Sequence, residues 1–186
     1  RGRLGEDVGA LMQQRVFDRF GMTRTSMMWR GDFATNLADG WTMEGTAEPH
    51  DERSRVRAAG SMDTTIADMA RFAAGYVRGD GLSATMRKEL VRPQLPITTA
   101  SQFPTLQPEL PKALQRKDLA AGLGVVTFRG PQGAGFYKGG HDDAVGNTLV
   151  CVEQQQRCVV ILGNDVRAEA TLAYRGSGST AQRRHS

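Results

Sequence analysis

"TLVCVEQQQRCVVIL" (residues 148–162) decides the fold. Two apolar, β-branched runs, 148–152 and 158–162, flank the polar stretch 153–157, and a connection that short joins only antiparallel neighbours. Neither run alternates apolar with polar residues, so both read as strands covered on both faces. "LGVVTF" (123–128) has the same character, and "GPQG" (130–133) returns the chain to a short strand, "AGFY" (134–137). The pattern predicts an α+β fold, an antiparallel sheet with helices on both faces. A loop of two or four residues centred on Gln154 and Gln155 sets Cys151 directly opposite Cys158. With four residues they form the closer, non-hydrogen-bonded kind of pair, which suits a disulfide, and two buried free thiols are the alternative. The residues leave that choice open. Two cysteines so spaced lack two further zinc ligands, and no metal or cofactor is expected.

Upstream the periodicity is helical. Leu4, Val8, Leu11, Met12 and Val16 recur at helix spacing, Arg15 and Arg19 come late, and Gly21 is placed to stop the helix. Residues 22 to about 60 lose any period and carry Gly31, Gly40, Gly45 and Pro49, which predicts a long surface excursion. Thr65 and Asp68 resemble a capping box for a helix that buries Ile66, Met69, Ala70, Ala73 and Val77 and ends at Gly79. Ser83 caps a shorter helix with Met86 and Leu90, ended by Pro93. Pro93, Pro96, Pro104, Pro108 and Pro111 mark an irregular span, expected to form an ordered wall anchored by Ile97, Phe103 and Leu106.

The chain has 186 residues, 39% hydrophobic and 24% charged, which suits one soluble domain. No apolar run approaches the roughly 18 residues a spanning helix needs, and no charged-then-apolar leader opens the sequence. The first residue is Arg1, so the chain is expected to be a fragment, with its compartment undetermined. A net charge of +4 and a pI near 9.4 raise the question of nucleic acid. The basic residues argue against it: Arg53, Arg55 and Arg57 follow Asp51 and Glu52, Arg183 and Arg184 sit in a polar tail, and no basic face carries interleaved aromatics.

The chemistry concentrates in "FYKGGHDDAVGNT" (136–148). Lys138 closes an apolar stretch, and Gly139 and Gly140 let a ligand or another backbone approach the strand. The plain alternative is an exposed lysine before a Gly-Gly turn. His141 follows, and Asp142, Asp143 and Asn147 are residues that commonly shape turns through their own hydrogen bonds.

Three stretches give the chain a resemblance to the C-terminal part of the serine β-lactamase, penicillin-binding-protein and esterase superfamily. "VFDRFGMTRTSM" (16–27) resembles the family's "IFxPLGMxxTxF", and "AAGSMDTTIADMARF" (58–72) resembles its "AAGGLxSTxxDMxRF". "KGGHDDAVGN" (138–147) is similar to the third active-site element, a Lys-Thr-Gly or His-x-Gly triplet on a sheet strand. The resemblance implies a β-lactamase/transpeptidase-like fold over 1–173 with its amino-terminal half missing. It implies a serine hydrolase acting by acyl transfer on an ester, amide or lactam. Lys138 and His141 would be catalytic: the lysine attracts an anionic or polarised substrate, and the His141 backbone N–H forms half of an oxyanion hole. Gly139, Gly140, Asp142 and Asn147 would meet substrate.

The departures are specific. No serine is followed three residues on by lysine, and neither Tyr76, Tyr137 nor Tyr174 has an asparagine two residues on. The family's Ser-x-x-Lys nucleophile and Tyr-x-Asn elements are therefore absent, and the chain alone is expected to be inactive. The triplet's middle residue is glycine, which removes a hydroxyl that could bond a β-lactam. After "GNDVRAEA" the family continues into a terminal helix, whereas 174–186 has no apolar stripe and is predicted to be disordered. Sheet surface is then expected to be uncovered, leaving the chain poorly soluble or in need of a partner, above all its missing amino-terminal half. The resemblance also implies export to the periplasm. The alternative function is a non-catalytic module that binds a peptidoglycan stem peptide or a protein partner.

Overall fold

The computed structural model of the protein describes residues 7–100 and 106–168. They form two compact units: one holds the chain up to Asp68, Gly139–Asn147 and the stretch from Ile161 on, the other Met69–Lys138 and Thr148–Val160.

In the first unit, helix α1 (Val8–Met12) starts where the Asp7 carboxylate accepts a hydrogen bond from the Ala10 N–H at 3.0 Å. A π-helical turn, Gln13–Phe17, leads into α2 (Asp18–Phe20), which ends at Gly21 with φ 63°. The predicted stop is thus a left-handed cap that glycine adopts without strain. The wider π turn moves the buried face from Val16 onto Phe17, which is completely buried. Leu4 lies outside the described residues.

The predicted surface excursion contributes to the interior, since Met22, Thr25, Met27 and Phe33 are buried. Its regular pieces are too short to show a period: a 3₁₀ turn, Gly31–Asn36, and a hairpin of β1 (Gly40–Trp41) and β2 (Ala47–Glu48). Two family-like stretches meet here. Ser26 and Asp63 exchange backbone hydrogen bonds of 3.0 and 2.9 Å, and the buried Asp68 carboxylate accepts from Arg24 N and Thr25 Oγ1, both at 2.8 Å. Arg53 reinforces the junction, with Nη2 2.7 Å from Asp63 Oδ2 and Nε donating to the Ser61 carbonyl at 3.0 Å.

Helix α3 (Ile66–Arg78) has its predicted cap, Asp68 N donating to Thr65 Oγ1 at 3.3 Å, but its stripe is rotated. Ile66 is 55% exposed and Ala70 is exposed, while Phe72, Ala73, Tyr76 and Val77 enter the core. Asp68 causes the rotation: its carboxylate must point inward, and residues two positions away on a helix lie about 200° round the axis.

The second unit contains α4 (Ala84–Leu90), whose Met86 N–H donates to Ser83 Oγ at 3.2 Å. It also carries most of a six-stranded sheet. Its strands are β3 (Leu95–Pro96), β4 (Leu119–Ala121), β5 (Val126–Gly130), β6 (Gly133–His141), β7 (Gly146–Val152) and β8 (Arg157–Gly163), lying side by side in sequence order. This is an antiparallel meander accompanied by helices. Its core is Ala73, Val77, Val125, Phe136, Leu149 and Cys151, with the Tyr76 ring 5.4 Å from that of Phe136 in an edge contact. Gly135 is needed there, because a Cβ would fall 2.4 Å from both the Cys151 carbonyl oxygen and Phe128 Cζ. Residues 153–156 connect β7 to β8, and a disulfide joins Cys151 to Cys158 with Cα atoms 4.1 Å apart.

The two outer strands differ from the sequence-based expectation. Pro96 belongs to β3, so the proline-rich span is not wholly irregular; Leu106, at 93% exposed, anchors nothing, and Phe103 lies outside the described residues. β8 is not covered on both faces among the described residues: Val159 is 58% and Leu162 36% exposed. The tail 174–186 lies outside the described residues. Among the described residues no helix is long and apolar enough to cross a membrane.

Candidate active site

Strand β6 leaves the core abruptly. Phe136 is fully buried, Tyr137 is half-buried, and burial raises the Tyr137 phenol's pKa despite the Arg116 charge. Residues 138–141 are all exposed. The short strand read as 134–137 continues to His141, which places Lys138, Gly139 and Gly140 on a sheet strand, as the resemblance implies, and not in the Gly-Gly turn that was the alternative. Neither glycine has a positive φ. A Cβ on Gly139 would meet nothing nearer than the Asn147 carbonyl oxygen at 3.7 Å, and one on Gly140 nothing within 4 Å. Neither backbone conformation nor packing requires glycine at these positions, in contrast to Gly135 on the same strand.

The turn after the strand is built by one carboxylate. Asp142 Oδ1 accepts from Ala144 N at 2.9 Å and Val145 N at 2.8 Å, while Asp142 N donates to the Val145 carbonyl at 3.0 Å. Hairpin β1–β2 braces this turn: Trp41 N donates to the Ala144 carbonyl at 3.1 Å, and a Cβ on Gly40 would come 2.6 Å from Ala144 Cβ. Asn147 Oδ1 accepts from Gly163 N at 3.3 Å, and Asn164 Nδ2 donates to the Asp39 carbonyl at 2.9 Å.

Between hairpin and turn lies an open cavity of about 460 Å³. Its walls are Thr42, Met43, Glu44 and Glu48 on the hairpin side and His141, Asp142 and Asp143 on the strand side, with Val166. Four carboxylates and one imidazole give it a negative lining. The fold therefore brings His141, Asp142 and Asp143 to one cavity, while Lys138, Gly139, Gly140 and Asn147 are not among its lining residues. Sequence reasoning missed Glu44 and Glu48; the one local signal was Gly45, whose φ of 78° turns the hairpin. A second hollow of about 300 Å³, in the other unit, is lined by Arg78, Arg87, Lys88 and Glu153 and contains none of the predicted residues. Among the described residues no cluster of His, Cys, Asp and Glu could hold a metal ion.

A family model described as Beta-lactamase matches residues 1–179. No curated protein matches the chain. Among solved structures, a class C β-lactamase superposes with a TM-score of 0.68 at 14% identity, over 97% of this chain and 54% of that one. A β-lactamase/D-alanine carboxypeptidase from Pseudomonas syringae gives 0.66 at 16% identity, over 95% and 55%. A D-alanine carboxypeptidase from Burkholderia cenocepacia gives 0.67 at 17% identity, over 95% and 56%. The chain thus spans about half the length of the structures it matches, and at these identities the likeness is one of fold. With the family model spanning nearly the whole chain, the protein belongs to the β-lactamase family.

Proposed function

We propose that residues 138–141 form one wall of the active site of a serine hydrolase that works by acyl transfer on an ester, amide or lactam carbonyl. The observation that carries this reading is the strip of bare backbone at Gly139 and Gly140, glycine where neither conformation nor packing requires it. An extended substrate or acyl group could lie along that strip. In this reading the Lys138 ammonium draws a polarised or anionic group to the strand, and the His141 N–H donates to the oxyanion. The nucleophile is a serine from polypeptide beyond these 186 residues, because no serine here is followed three positions on by lysine. Its Oγ bonds to the carbonyl carbon as a lysine–tyrosine pair takes the proton; the bond to the leaving group breaks as that proton passes to it, and water then repeats the sequence on the acyl-enzyme.

The test is hydrolysis of a nitrophenyl ester by the chain alone and after addition of the complementary half of the domain. No turnover by the chain alone and turnover by the mixture, reduced about 100-fold by Lys138→Ala, is the expected result. Turnover by the chain alone, or none from a properly folded mixture, would overturn it. The absence of a Ser-x-x-Lys within the chain favours a second reading, a binding module for a peptidoglycan stem peptide or a protein. Saturable binding of such a peptide by the chain, with no turnover in the mixture, would establish that reading instead.

A further inference from the structure

The second hollow, of about 300 Å³, lies where α4 and the turn 153–156 meet the end of α3, and its whole lining belongs to the second unit. Three cations, Arg78, Arg87 and Lys88, line it against one carboxylate, Glu153. Arg87 is held in place from several sides. A Cβ on Gly79 would fall 2.7 Å from Arg87 Cδ, Nη2 donates to the Val77 carbonyl at 3.1 Å, and the guanidinium lies 5.6 Å from the centre of the Phe136 ring. These contacts answer its charge only in part. The side chain is 15% exposed, and Glu153 Oε2 stands 3.7 Å from Nη2, too far for a hydrogen bond. Among the described residues the Val77 carbonyl is the one acceptor this five-donor group has. Lys88 has no carboxylate partner among the described residues, while Arg78 keeps its own, Asp80, which does not line the hollow. Gln156 completes the rim with a φ of 50°, the one left-handed non-glycine among the described residues, in a turn where glycine would sit without strain. Capping the end of α3 accounts for one N–H of Arg87, and for neither Lys88 nor the conformation of Gln156.

We propose that this hollow binds the phosphate group of a phosphate monoester. A guanidinium fork beside an ammonium matches a dianionic tetrahedral oxyanion better than it matches a single carboxylate. The phosphate oxygens take the Arg87 donors that no protein acceptor uses, Lys88 supplies the second charge, and the Gln156 amide donates from the rim. Holding the Arg87 fork against Gly79 and Phe136 before the ligand arrives reduces the ordering that binding would otherwise cost. The site does not depend on the hydrolase reading. Glu153 N donates to the Ala134 carbonyl at 2.9 Å, so the turn that lines the hollow borders the start of β6, whereas Lys138 stands towards the other end of that strand.

Calorimetric titration of the 186-residue chain, disulfide intact, with inorganic phosphate is the test. A Kd of about 1 mM or tighter is expected. Lys88→Glu should weaken binding at least about tenfold, whereas Lys117→Glu, the same charge change at an exposed lysine outside the hollow, should leave it unchanged. Gln156→Gly separates binding from structure: it relieves the left-handed conformation, so urea unfolding should move to higher denaturant while phosphate binds about threefold more weakly. Circular dichroism checks that the variants fold, and Lys88→Gln replaces Lys88→Glu if the latter does not. Competition then identifies the source. Displacement by glycerol 3-phosphate marks a soluble ester, and displacement only by vesicles of phosphatidic acid, not of phosphatidylcholine, marks a lipid headgroup; either agrees with the proposal. No saturable binding, binding indifferent to the Lys88 substitution or weakened equally by Lys117→Glu, or phosphate that neither ester displaces, which is an adventitious ion only, overturns it.

Discussion

The turns that follow β6 and β7, residues 142–145 and 153–156, are of equal length and are secured by opposite means. The second is closed covalently, by a disulfide whose Cys151 is fully buried in the core, and Gly135 of the next strand lies hard against it. The first has no covalent lock. One oxygen of Asp142 holds two amides, and a separate hairpin presses Gly40 onto Ala144. The difference tracks the surroundings: the locked turn closes a packed core, and the polar one borders an open cavity, where bonds to a carboxylate and a braced backbone position groups without filling the space.

The comparison can be broken by removing each device in turn. Cys151→Ala should cost most, about 2–4 kcal/mol in urea denaturation, and reduction of the unaltered protein should reproduce much of that loss. If neither moves the midpoint, the covalent lock is irrelevant to stability. Gly135→Ala forces a methyl to within 2.4 Å of the Cys151 carbonyl oxygen and should cost about 1–3 kcal/mol by the same measurement. Gly40→Ala creates a comparable clash at 2.6 Å, and about 1–2 kcal/mol is expected because the hairpin is a surface element. Exchange of the Ala144 and Val145 amides should speed up in that variant; unchanged exchange would mean the hairpin does not brace the turn. Asp142→Ala should cost about 1 kcal/mol, and Asp142→Asn, which keeps an acceptor oxygen, should recover most of it. Gly140→Ala should change stability by less than about 0.5 kcal/mol, since a Cβ there meets nothing. The same substitution should depress ester hydrolysis by the completed domain, the sharpest separation between a glycine kept for packing and one kept for access.

Much of the sheet was legible because its signals are local. The runs around Val126, Leu149 and Val160, the facing cysteines and the caps at Gly21, Thr65 and Ser83 each depend on neighbours a few residues away, and each element is present. The errors have two kinds of cause, one distant and one local. The stripe of α3 turned because Asp68 serves Arg24 and Thr25, far earlier in the chain. The length of β6 was hidden by Gly139 and Gly140, residues that ordinarily argue against a strand. The triplet strand and the turn at Asp142 could be placed from "KGGHDDAVGN" alone. Glu44 and Glu48 could not, because only the close approach of Gly40 to Ala144 brings their hairpin to the cavity.

The cross-link at Cys151 and Cys158 also governs how the protein survives proteolysis. Arg157 is exposed and lies between the two cysteines in sequence, so trypsin cutting after it severs the backbone without separating the pieces. On a gel the nicked chain would migrate as one band until a reductant released its C-terminal fragment, and an intact-looking preparation could already be cut.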